Sequence, residues 1–137
     1  MFDRILVPID LADAERGKAS IGIARAVGGK NADIHLVSVI EDAPRFVAAQ
    51  VPREITDRIR AEAETAIRDI AAAAGIKASN ARVRTGSAAS GILETADELQ
   101  ADLIIVGSHK PGLQDYLLGS TAARVVRHAN CKVLVVR

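Results

Sequence analysis

The sequence predicts a single-domain, open, doubly wound α/β fold: five parallel strands with four helices distributed over both faces. Three observations carry the prediction. Short β-rich runs recur five times, and the segments between them repeat apolar residues at intervals of three and four. Three of the runs are nearly continuous apolar, as in strands buried on both faces of a parallel sheet. Each helical segment links successive strands, which requires right-handed crossovers.

The first strand is RILVPI, Arg4 to Ile9. A first helix over roughly Ala14 to Val27 is interrupted by Gly17 and Gly22 and ends at Gly28 and Gly29. DIHLVSVI, Asp33 to Ile40, is the second strand, and the irregular stretch EDAPRFVAAQV, Glu41 to Val51, is a candidate flap. Ile55, Ile59, Ala63, Ala66, Ile67, Ile70 and Ala74 then mark a long second helix with a buried stripe that stops near Gly75. ARVRT, Ala81 to Thr85, is the third strand. Ile92, Leu93, Ala96 and Leu99 belong to a third helix with Ser87 as its expected N-cap. DLIIVG, Asp102 to Gly107, is the fourth strand. Ala122, Val125, Val126 and Ala129 define a fourth helix after Gly119 and Ser120, and KVLVV, Lys132 to Val136, is the last strand.

Composition narrows the function classes. The 137 residues, 49% hydrophobic and 26% charged, fit one globular domain over 1–137 with an ordinary core. Lys plus Arg number 18 against 17 Asp plus Glu, and the charges are scattered, which argues against a nucleic-acid partner. The longest apolar runs fall far short of the roughly 18 residues of a membrane span. The opening MFDRILVPID lacks the pattern of a signal peptide, and a single cysteine, Cys131, forms no intrachain disulfide, so the cytoplasm is the expected location.

In an open sheet of this kind ligands bind beyond the carboxyl ends of the strands, where the strand order reverses. Asp10 lies at that edge and can accept hydrogen bonds from a ribose, an amine or a neighbouring N–H; its plainer role is to cap the helix that follows. Gly107 ends the fourth strand and lets another molecule approach its backbone. Gly119, Ser120 and Thr121 open the fourth helix, whose N–H groups and positive dipole end suit a phosphate. Ordinary capping by Ser120 is the alternative there.

The opening ILVPID, the closing GSHKPGLQDYLLGSTAARVVRHANCKVLVVR and the length between them resemble the universal stress protein family over essentially the whole chain. LLGSTAARVVRHANCKVLVVR is the most specific part. The resemblance implies a flavodoxin-like sheet of order 3-2-1-4-5 that binds ATP between the first, second and fourth strand ends. The family's loop reads glycine, two residues, glycine, nine residues, glycine, then Ser or Thr. Gly107 matches the first glycine, and Gly119 with Ser120 matches the last pair. At the middle position either Lys110 replaces the glycine, or the glycine is deleted and Lys110 follows the gap, leaving the loop one residue short.

By the same resemblance Pro8 and Asp10 lie beside the adenosine, and Val39, otherwise a core residue, offers its backbone to the adenine edge. Gly107, His109, Gly119, Ser120 and Thr121 surround the phosphates, with Lys110 added on charge grounds. Ala12 stands where relatives often place a hydroxyl. The expected cofactor is ATP, with AMP or ADP as alternatives, with or without Mg2+. The last strand is an apolar edge that invites pairing, and the resemblance implies a two-fold dimer through Val133 to Val136. The resulting expectation is a dimeric stress-response or signalling module with at most slow ATP hydrolysis and no catalytic set. The alternative is an interaction protein of the same fold that does not bind nucleotide.

Other residues take plainer readings. His35 alternates with Ile34 and Leu36 and is expected on a polar strand face, while His128 suits the negative end of the fourth helix. Three separated histidines and one cysteine make no metal-ligand spacing. Ser108 and His109 are adjacent without a third group to complete a triad. Packing is the expected role of Tyr116 and Phe46, and of Cys131 as a small core or edge residue.

Overall fold

The computed structural model describes residues 1–42, 45–108 and 118–137. Among them β1 (Phe2–Pro8) leads through a 3-10 turn (Leu11–Asp13) to α1 (Ala14–Val27) and β2 (Gly28–Ile40). A one-turn α2 (Arg45–Ala48) and the long α3 (Arg53–Ala73) precede a second 3-10 turn (Ala78–Asn80) and β3 (Ala81–Thr85). Then come α4 (Ala88–Leu99), β4 (Leu103–Gly107), α5 (Ser120–His128) and β5 (Lys132–Val136). All strand pairs are parallel, in the order β3-β2-β1-β4-β5. The four expected helices are α1, α3, α4 and α5; α2 is an addition within the connection read as irregular.

The nearly continuous apolar strands follow from two cores separated by the pleat. Ile5 and Val7 of β1, Ile34 and Leu36 of β2, and Leu103 and Ile105 of β4 join Ile21 and Ala24 of α1 and Ile67 and Ile70 of α3. On the opposite face Leu6, Val37, Ile104 and Val106 join Ala89, Ile92 and Ala96 of α4 and Ala122 and Val125 of α5. Neighbours in sequence therefore feed opposite cores, and neither face is left to water. Gly17 does not break α1 but lets it close on β1: a Cβ there would stand 2.8 Å from Cδ1 of Ile9.

The stripe expected along α3 is buried only in part. Ala63, Ile67, Ile70 and Ala71 pack on the sheet, whereas Ile55 and Ile59 are 47% and 48% exposed. The reason is length. Twenty-one residues of helix run about 30 Å, nearly twice the roughly 17 Å of a five-residue strand, so the first turns overrun their support. Phe46 of α2 is exposed as well, at 74%, and not packed as its residue type suggested.

His35 is also not on a polar face. It is buried, because both faces of β2 are covered, and its polarity is met within the protein: Nε2 lies 2.8 Å from Oδ2 of Asp33, and Arg82 donates to Nδ1 at 3.2 Å.

Candidate functional site

The carboxyl edge of the sheet is shaped by the way β1 ends. The ladder between β1 and β4 runs Ile5↔Leu103 and Leu6↔Ile104 and stops there, while on the other side β1 stays paired with β2 to Pro8↔Val37. The Ile9 N–H donates to the Val37 carbonyl at 2.8 Å. Because N–H directions alternate along a strand, the nitrogen of Pro8 faces β4 beyond the last rung, where proline forfeits no bond. The sheet thus opens between β1 and β4. Helices α1 and α3 lie on one face and α4 and α5 on the other, which makes this the switch point of the fold.

β2 presents its backbone to the same opening. Val37 directs its carbonyl toward β1, so Val39, two residues on, directs its backbone groups the same way, past the end of β1 at Pro8. Its side chain is fixed on the other side by α4, where a Cβ at Gly91 would approach Val39 Cγ2 to 2.7 Å. Asp10 is exposed at the tip of β1. Its Oδ1 accepts from the Ala12 N–H at 3.0 Å and its carbonyl from the Asp13 N–H at 2.9 Å, so the plain capping role is realised. The second carboxylate oxygen takes no partner among the described residues.

The two described glycines that flank the β4–α5 connection, Gly107 and Gly119, prove to be different in kind. Gly107 is exposed, and a Cβ there would meet nothing within 4 Å among the described residues. Gly119 is a point of backbone contact: its N–H donates to the Ser108 carbonyl at 3.1 Å, and a Cβ would stand 2.9 Å from that oxygen. Ser108, weighed in the sequence only as a triad member, is buried and anchors the arrangement through its N–H to the Val136 carbonyl at 2.9 Å. Its hydroxyl turns to the same carbonyl at 3.4 Å. The one signal for it in the sequence is its place directly after Gly107.

Gly119, not Ser120, is the N-cap of α5. Lacking a side chain, it cannot accept from the first free N–H groups of the helix, as Ser, Thr or Asp would. Ser120 and Thr121 stand inside the first turn, which puts those N–H groups and the positive dipole end beside Gly107 and the β1–β4 opening. An anion at such a helix end gains about 0.3–1 kcal/mol, more where partly buried. Pro8, Asp10, Val39, Gly107, Gly119, Ser120 and Thr121 are therefore brought to one edge. His109, Lys110 and Tyr116 lie outside the described residues.

Other chemistry stands elsewhere. A cavity of about 230 Å³ between α3 and β3, lined by Glu64, Ile67, Arg68, Ala81, Arg82 and Val83, is remote from the strand ends. His128 does sit in the last turn of α5. No group of three or more His, Cys, Asp or Glu residues could hold a metal ion among the described residues, and no helix among them is long and apolar enough to cross a membrane. Burial, with the Asp97 and Asp102 carboxylates, pushes the Cys131 thiol up against the opposing charge of Lys132. Alkylation of Cys131 by iodoacetamide at neutral pH is expected to be slower than that of free cysteine; an equal or faster rate contradicts this.

A family model for the universal stress protein family matches residues 1–137. Universal stress protein G of Salmonella typhimurium is 35% identical over 144 residues that span the whole of both chains. The solved structure of hypothetical protein MJ0577 is similar at a TM-score of 0.81 and 25% identity, covering 99% of this chain and 96% of that one. A universal stress protein solved in complex with cAMP is similar at a TM-score of 0.62 and 26% identity, covering 99% of this chain and 97% of that one.

Proposed function

Because the chain belongs to the universal stress protein family, we propose that it binds an adenine nucleotide where β1 and β4 part, and serves as a dimeric cytoplasmic stress-response module. ATP is the proposed ligand, with AMP or ADP as alternatives and Mg2+ as a companion of the phosphates. The observation that carries this reading is the start of α5, whose N-cap Gly119 has no side chain to cap it, with Gly107, exposed among the described residues, before it. Ser120 and Thr121 belong to the N–H groups that hold phosphate, joined by His109 and Lys110 from the connection. Asp10 offers its free oxygen to the ribose, Pro8 lies against the adenosine, and Val39 offers backbone groups to the adenine edge. The related protein in complex with cAMP supports a nucleotide at this fold.

Micromolar affinity requires about 8 kcal/mol, which several charge-assisted amide bonds at roughly 1.5–3 kcal/mol each, together with adenine burial, can supply. In this reading the arrangement binds and orients the nucleotide, and hydrolysis is at most slow. Thermal unfolding tests the reading. ATP at about a hundred times its Kd stabilises the folded state by roughly 2.7 kcal/mol, and a melting curve unmoved by millimolar ATP, with and without Mg2+, removes the nucleotide from the account.

The dimer is proposed through β5, an edge strand whose Val133 to Val136 are only partly buried. The Val136 carbonyl faces β4, so by alternation the N–H of Val135 faces the free edge. Val135→Pro removes that donor and no β4 bond. It is expected to give a folded monomer in sedimentation, and an unchanged dimer argues against pairing through β5. The exposed Phe46, Ile55 and Ile59 favour the second reading, an interaction protein of this fold acting through a protein partner without nucleotide.

A further inference from the structure

On the face of β2 covered by α4, the sheet carries a polar strip that nucleotide binding does not use. Asp33 and His35 lie two residues apart on that face, and Arg82 extends from the neighbouring β3, where it is in register with Val37. Asp33 accepts from His35 Nε2 at 2.8 Å through Oδ2 and from Asn80 Nδ2 at 2.8 Å through Oδ1, and Arg4 Nε of β1 stands 3.7 Å from Oδ2. Farther along, Arg84 of β3 is held by Glu94 and Glu98 of α4, each at 2.9 Å, so those carboxylates are already engaged.

The chemistry of the partners decides the tautomer of His35. A carboxylate only accepts and a guanidinium only donates, so neutral His35 carries its proton on Nε2 and accepts from Arg82 at Nδ1. Protonation turns Nδ1 into a donor that faces the Arg82 Nη2 donor, and places one cation against another. Asp33 is satisfied in either state, so Arg82 is the partner that must leave. Its Nε is buried with no hydrogen-bond partner among the described residues, where its Nη2 contact with His35 ties the side chain to β2.

We propose that His35 is a proton-operated clasp: neutral, it holds the Arg82 side chain of edge strand β3 to β2, and protonated, it releases Arg82 and loosens that edge. Asp33 remains the fixed counterpart. Burial works to raise its carboxyl, but the hydrogen bonds from His35 and Asn80, with the charges of His35 and Lys77, outweigh burial and hold it below its usual value, so it stays ionised. Arg4 and Lys77 add positive charge around the pair, which makes Arg82 the harder to keep beside an imidazolium. The release reaches the carboxyl edge, because β3 leads into Gly86, whose N–H is bound to the Ile40 carbonyl at 2.9 Å at the end of β2.

Hydrogen exchange of residues 81–85 in the full chain, corrected for the intrinsic pH dependence, tests the clasp. Protection in the wild type is expected to fall about tenfold between about pH 8 and about pH 5. His35→Gln keeps an acceptor for Arg82 and a donor for Asp33 but cannot gain a proton, and is expected to hold high protection at both values. Arg82→Gln is expected to be low at both, and serves if His35→Gln does not fold. Nitrogen NMR of the His35 ring is expected to show Nδ1 unprotonated at the higher pH. The proposal is overturned by unchanged wild-type protection, by an equal fall in either variant, or by a proton on Nδ1 at the higher pH.

Discussion

Gly119→Val lowers the stability of the fold by about 1–3 kcal/mol, the range of an overpacked site, and abolishes nucleotide binding with it. A Cβ at this position stands 2.9 Å from the Ser108 carbonyl oxygen. That oxygen belongs to backbone, not to a flexible side chain, and Ser108 is itself held to Val136 by its N–H at 2.9 Å. Relief therefore requires α5 to move off the end of β4, breaking the 3.1 Å bond from Gly119 N–H to the same carbonyl. Urea denaturation should report a lower midpoint at unchanged slope, and the smaller Gly119→Ala should move in the same direction. A midpoint equal to the wild type for both would show that the close approach does not constrain the chain.

Leu6→Ala is expected to cost about 2–5 kcal/mol, the range for emptying a buried leucine position. Leu6 is fully buried in β1, the central strand, and packs with Val37, Ile104 and the inner faces of α4 and α5. The sheet cannot close around the missing methyl groups, because β1 is held by β2 on one side and β4 on the other. Ile59→Ala removes a similar side chain from a position 48% exposed, and is expected to stay within about 0.5 kcal/mol of the wild type. Equal losses in the two variants would contradict the division between the core and the overrunning end of α3.

That division marks how far the sequence could be read. The fold was legible because each strand feeds two cores: Ile5 and Val7 one, Leu6 the other, so the run ILV reads as a strand buried on both sides. The spacing of Ile55 and Ile59 continues the stripe of Ala63, Ile67 and Ile70, but spacing does not record that the neighbouring strand is shorter than the helix. His35 was misread because alternation with Ile34 and Leu36 reveals an opposite face without revealing what covers it. Its partner Arg82 is 47 residues away and arrives only through the register of β2 with β3.

The candidate site was legible as a set of residues at one edge and not as a set of roles. Gly107 and Gly119 look alike in sequence, yet among the described residues one faces open space and the other touches backbone. Ser120 was a reasonable N-cap by residue type, but the chain enters α5 one residue earlier, at Gly119, which has no side chain to accept from the first N–H groups. Asp10 carries both of its readings at once, with one oxygen capping the turn and the other left over.

Calorimetric titration of wild type and Gly107→Val with ATP tests the nucleotide site most directly. The added side chain meets none of the described residues, so the variant is expected to melt with the wild type. The wild type is expected to bind ATP, and the variant to bind at least about tenfold more weakly, a loss of about 1.4 kcal/mol, because the valine occupies the shelf assigned to phosphate. Absence of heat from the wild type at millimolar ATP, or equal affinity in the two proteins, would contradict a phosphate held between Gly107 and the start of α5.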